Sequence, residues 1–192
     1  MNRILRLGAS AAIGVALLAS AAPTFAHDRG ERGGSTIVTI DNGTLQAIVG
    51  LGLTPSAISP GVIAADGGTV TATFPISWIR KGVIKHAGGI RLTSGDGTRL
   101  SLTTYIIKGT TLTARASLNG NRLARIPLFD LTNVKTFTSG PCAVTADLHF
   151  TKEAAGALTA IFKAPDVTGL LFGSACVAPK SDDEGRQGDD RD

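Results

Sequence analysis

Apolar and polar residues alternate along much of the chain. In the run Thr69–Ile76 the residues Val70, Ala72, Phe74 and Ile76 fall on one side and threonines on the other. Leu112, Ala114, Ala116 and Leu118 alternate with Thr111, Thr113, Arg115 and Ser117, and Val144, Ala146, Leu148 and Phe150 alternate with Thr145, Asp147, His149 and Thr151. A period of two with one apolar and one polar face predicts antiparallel strands packed on one side. The many threonines agree, because β-branched side chains suit a pleated surface.

Turn residues separate these runs. Asn119-Gly120 stands between Leu118 and Leu123–Leu128 and predicts a tight hairpin, since both residues tolerate positive φ. Asp66-Gly67-Gly68 and Ser94-Gly95-Asp96-Gly97 mark two more turns, with Val83–Ser94 and Arg99–Lys108 as a further hairpin. Two helices are expected. One covers Lys152–Lys163, capped by Thr151 and stopped by Pro165, with Ala155, Leu158, Ile161 and Phe162 inward. A shorter one covers Thr44–Val49, with Leu45, Ile48 and Val49 inward, and ends at Gly50 and Gly52. The predicted fold is mainly β, an antiparallel β-sandwich or open barrel with one or two short helices, in one domain.

The ends of the chain differ from this body. Arg3 and Arg6 precede a charge-free stretch, Leu7–Ala26, whose most apolar part is Ala11–Leu18 and which closes on Thr24-Phe25-Ala26. Residues 1–26 therefore read as a cleaved Sec-type signal peptide, and the mature chain as a secreted or cell-envelope protein. Residues 27–34 carry charge and glycine and no apolar side chain, and read as a disordered leader. Residues 180–192 read as an acidic disordered tail, which leaves 35–179 as the β-rich domain. No membrane span is expected after residue 26. The net charge is +4; without the two signal arginines it is about +2, too little to point to nucleic acid. The two cysteines, Cys142 and Cys176, are most simply a disulfide in an exported protein.

Motifs of catalysis are missing. The chain has no G-x-S-x-G elbow, no P-loop and no H-E-x-x-H, and its few acidic residues sit mostly at turns and strand ends. The expectation is a protein that is not an enzyme and holds no metal site of its own. Of the histidines, His149 lies on a polar strand face, and His27 would begin the mature chain. His86 is different: it shares a face with Ile84, Ile90 and Leu92 and is followed by Gly88-Gly89. Glycines inside a strand mark a bulge or a close approach to the backbone, by a ligand or by a crossing strand.

The order of the segments also resembles a known family. His86-Ala87-Gly88-Gly89-Ile90-Arg91-Leu92 opens a hairpin, Leu112–Gly120 and Arg125–Leu131 follow, and Thr145–Leu158 gives a strand and an Ala-rich helix. This series, over about residues 69–163, is similar to the HtaA-type domain of exported and surface proteins of actinobacteria, some of which bind haem. The resemblance implies a non-catalytic binding module for haem or another apolar ligand. In haem-binding members a Tyr near the domain start ligates iron and a His before the hairpin glycine supports it. His86 matches the second position. Residues 35–55 contain no Tyr, and the sole tyrosine is Tyr105, on the strand expected to pair with that of His86. His86 and Tyr105 are thus the candidate ligand-binding residues. The alternative is a structural or adhesive surface module, its partner a cell-surface protein or polymer, in which His86 is simply core.

Overall fold

The computed structural model describes residues 33–180. The proposed signal peptide, most of the leader and nearly all of the acidic tail lie outside the described residues. In order, the elements are β1 (Gly34–Ile40), α1 (Asn42–Gly50), β2 (Thr54–Ile58), β3 (Val62–Asp66), β4 (Thr69–Arg80), β5 (Val83–His86) and β6 (Gly89–Thr93). There follow β7 (Arg99–Lys108), β8 (Thr111–Leu118), β9 (Asn121–Thr136), β10 (Val144–Phe150), α2 (Lys152–Phe162) and β11 (Leu171–Pro179). Gly34, placed by the sequence in the leader, opens the first strand.

Every strand pairing is antiparallel, and the sheet runs β7-β5-β4-β1-β11-β10-β9-β8. A further pairing of β8 with β7, from Leu100↔Leu118 to Lys108↔Thr111, joins the two ends, so eight strands form a closed barrel. The mainly β, antiparallel, single-domain architecture with two helices is the expected one. Closure is what alternation cannot reveal, because a strand in a sandwich and a strand in a barrel bury the same face. Two additions flank the ring: β6 and β2 extend outward from β7, and β3 pairs with the first half of β4.

The inward faces follow the sequence pattern. Ala72, Phe74 and Ile76 on β4, Leu112, Ala114 and Ala116 on β8, and Ala146, Leu148 and Phe150 on β10 are all buried. The Asn119-Gly120 hairpin forms as expected, with φ of 51° and 88°. Thr151 caps α2 by accepting from the Ala154 amide at 3.1 Å, and its hydroxyl donates to the Pro127 carbonyl at 2.9 Å. Cys142 and Cys176 form the disulfide, tying the segment before β10 to the middle of β11.

Differences from the sequence reading lie where the chain bends or ends. The stretch Val83–Ser94 is two strands: β5 pairs with the last residues of β7, and β6 with its first. They separate at Gly88 (φ 81°), where an added Cβ would collide with the Gly61 amide and lie 2.8 Å from the Ile58 carbonyl. At Gly89 it would collide with the Leu102 carbonyl. The paired glycines thus serve a crossing chain, the turn between β2 and β3, and the close pairing of β6 on β7. Helix α1 is longer than expected and starts from Asp41, whose carboxylate accepts from the Gly43 and Thr44 amides. None of its residues is fully buried, and Val49, expected inward, is 64% exposed.

Candidate functional site

An eight-stranded barrel is just wide enough for its own side chains to fill, or to hold one small ligand if they fall short. Here they fall short. Ala72 of β4 and Ala175 of β11 are buried and small where they line the interior. Phenylalanines fill part of the space: Phe129 stacks on Phe172 with centroids 4.6 Å apart, and Phe150 meets both. Beside them remains a cavity of about 380 Å³. Its wall is almost wholly apolar, with Val38, Ile40, Ile90, Leu102, Leu128 and Phe172 among the lining side chains. It reaches the end of the barrel where β1 passes into α1, and there the wall includes exposed residues such as Ala47 and Leu170.

The two helices complete that end. Leu45 and Ile48 of α1 and Leu158 of α2 are half-buried and line the cavity. The Thr44 hydroxyl ties α1 to β11 by donating to the Leu171 carbonyl at 2.7 Å. Leu170 and Leu171 stay 56% and 40% exposed, so the mouth has an apolar rim.

Both candidate residues are on the wall. His86, the last residue of β5, lies opposite Ile76 and is 2% exposed. Its Nε2 is 2.7 Å from the Thr36 hydroxyl of β1. Nδ1 is buried and has no hydrogen-bond partner. Burial lowers the His86 pKa to about 4; the Tyr105 backbone acts in the opposite direction without satisfying Nδ1. The ring is therefore neutral at physiological pH, and whichever tautomer Thr36 selects, one nitrogen is left unpaired. Thr36 is the residue that sequence reading missed. Its signal was there: Thr36, Val38 and Ile40 share one face, so a hydroxyl sits in line with apolar neighbours.

Tyr105 is buried beneath Phe74, in an edge contact with centroids 4.8 Å apart. Its hydroxyl is fully used: it donates to the Leu102 carbonyl at 3.0 Å and accepts from the Ile90 amide at 3.1 Å. Burial raises its pKa well above that of an ordinary phenol, so the phenolate is disfavoured. The structure thus brings His86 and Tyr105 to one cavity but leaves only His86 with a free valence. His149 lies elsewhere, its Nδ1 2.9 Å from the Gly169 carbonyl. Among the described residues no group of three or more His, Cys, Asp or Glu is placed to hold a metal ion, and no helix is long and apolar enough to cross a membrane.

No family model matches the sequence, and no curated protein matches it. A solved structure with a related architecture is the heme binding protein HtaB from Corynebacterium glutamicum, with a TM-score of 0.50 over 76% of this chain and 91% of that one. This chain shares its fold with HtaB. The expected HtaA-type likeness therefore holds at the level of the fold. The C-terminal domain of HtaA from the same organism aligns with a TM-score of 0.48 over 76% of this chain and 98% of that one. Identity to HtaB and to the HtaA domain is 11% in both cases, so individual residues are not carried across.

Proposed function

We propose that the protein is an exported binding module that holds one apolar ligand inside its barrel, with haem as the first candidate and His86 as the group that meets it. The observation that carries this reading is an apolar cavity of about 380 Å³ whose wall includes His86, a buried imidazole with no hydrogen-bond partner at Nδ1. Cavities of this size and character are typical of small-molecule sites. An unsatisfied buried polar atom costs about 1–3 kcal/mol, and a ligand that pairs with it recovers that cost. HtaB, which shares the fold, is by name a heme binding protein. A disulfide among the described residues suits the oxidising compartment to which residues 1–26 would direct the chain.

The residues present fit haem in part of its needs. The apolar wall suits the macrocycle, and the neutral imidazole of His86 suits iron, to which it would supply a nitrogen. Tyr105 does not fit as a second ligand, because its hydroxyl is engaged. No lysine or arginine lines the cavity, so the carboxylates of a haem would stay at the mouth in water.

The test is a haemin titration of oxidised residues 27–192, followed by visible absorption, beside His86→Ala. The expected result is a saturable one-to-one shift of the Soret band that the variant loses. A flat titration of folded protein would discard haem and leave the structural or adhesive reading of the module.

A further inference from the structure

The outer surface of the barrel carries a second feature, independent of the cavity. Strand pairing aligns side chains in rows across β2, β6, β7, β8 and β9. One row reads Ser56, Arg91, Ser101, Ser117, Arg122. The next, two residues along each strand from β6 to β8, reads Gly89, Thr103, Arg115, Arg125. A third places Thr54, Thr93 and Arg99 side by side. All five arginines are exposed, on the face opposite the buried Leu92, Leu100, Leu102 and Ala116. Between Gly89 and Leu128 the sole acidic residue is Asp96. It sits in the turn after β6, where its carboxylate accepts from the Ser94 hydroxyl and the Thr98 amide.

Net charge conceals this surface, because the remaining acids lie on other parts of the chain. The arrangement also carries a cost. Arg115 and Arg125 are directly opposite one another, and like charges in that relation destabilise a sheet. Arg125 is held in place all the same: its Nη1 donates to the Thr104 carbonyl at 2.9 Å and lies 3.3 Å and 3.2 Å from the Thr113 carbonyl and hydroxyl. Burial, and then the Arg115 charge, lower its pKa. A fixed guanidinium beside a second one is a ready fork for an oxyanion.

We propose that this outer face of β6–β9 binds a linear acidic polysaccharide, whose carboxylates pair with the arginines and whose hydroxyls meet the serines and threonines between them. Neighbouring strands are about 4.8 Å apart, so Arg91 and Arg122, three strands apart, stand roughly 14 Å from one another with two serines in between. Charge alternating with hydroxyl over that span suits a chain of sugars in which only some units are ionised. A bilayer suits it less, because between Gly89 and Leu128 a single large apolar side chain, Leu123, is exposed. Nucleic acid suits it less, because the face offers no aromatic for stacking and no helix for a groove. The acidic tail of this chain is a poor occupant: β11 is two strands from β9, but its end lies level with Thr136, at the opposite end of β9 from Arg122.

The test is a calorimetric titration of residues 27–192 with size-defined oligogalacturonate at low salt, with dextran as the uncharged control. Arg91→Glu/Arg122→Glu is expected to weaken binding at least tenfold, and Arg91→Gln/Arg122→Gln to weaken it less. Arg80→Glu/Lys152→Glu, the same charge change on β4 and α2, is expected to leave it within twofold; thermal melts check that all variants fold. Absence of binding to the oligogalacturonate, or equal loss in both charge-reversed pairs, would overturn the proposal. So would tighter binding through Arg91 and Arg122 to phosphatidylglycerol vesicles or duplex DNA, or binding that appears only after residues 181–192 are deleted.

Discussion

His86 carries the one buried side-chain polar atom that lacks a hydrogen-bond partner among the described residues. Its imidazole is almost fully buried, hydrogen-bonded on one nitrogen only, and has a pKa lowered from 6.5 to about 4, chiefly by burial. Between those two values the unfolded chain binds a proton that the folded chain refuses. Stability therefore falls as pH drops from about 6.5 to about 4 and changes no further from this group below that. The full effect is up to about 3 kcal/mol. Urea unfolding of the wild type and of His86→Gln across this range should give curves that converge toward acid. Parallel curves would mean that the ring is hydrated or paired in the folded state. Gly88 makes a second prediction at this scale. With φ at 81° and the Gly61 amide against it, Gly88→Ala should cost about 3 kcal/mol, whereas Gly95→Ala, where nothing lies within 4 Å, should cost under about 1 kcal/mol. Equal melting temperatures for the two would show that the β2–β3 turn yields to the new methyl.

The same distinction, between what a residue does alone and what it meets, decides which elements could be read from the sequence. β4, β8 and β10 alternate over seven or more residues and were legible. α2 announced itself through Thr151 and the apolar spacing after it. β2 and β3 were not legible, because each is five residues long and has no fully buried residue. β9 escaped for another reason: at 16 residues it is paired along its length but mostly exposed outside Ile126–Leu131, so no period marks its ends. Of the candidate site, His86 was visible as a polar residue on an apolar face. The engagement of Tyr105 was not, since its partners Leu102 and Ile90 are backbone groups. The disulfide was legible from cysteine count alone, and its effect follows from the 34-residue separation it closes. Chain entropy gives about 3–4 kcal/mol for such a loop. Cys142→Ala/Cys176→Ala should lose roughly that in a urea titration, with the barrel still formed by circular dichroism. A loss under about 1 kcal/mol would mean that pairing of β10, β11 and β1 already confines the segment in the unfolded chain.

At the scale of the whole molecule, closure and small inward residues act together. Eight strands fix the barrel's width, and small residues on the inner wall such as Ala72 and Ala175 leave part of it unfilled. For the proposed ligand two contributions are separable: the apolar wall, which any flat apolar molecule can use, and the His86 imidazole, which offers Nδ1 a lone pair for a metal when Nε2 donates to the Thr36 hydroxyl. Haemin and metal-free protoporphyrin share a shape and differ in the iron. If His86 meets the metal, haemin should bind at least tenfold more tightly than the metal-free ring, and His86→Ala should bring the two affinities together. Proton competition gives an independent sign. An imidazole with a pKa of about 4 is already neutral at pH 5, so haemin affinity should stay level from pH 8 to pH 5, whereas a ligand histidine near 6.5 would lose affinity over the same range. Equal affinity for the two rings in the wild type would assign binding to the apolar wall alone. A level pH profile together with a large preference for haemin would mean that burial, by keeping His86 neutral, is what prepares it to hold iron.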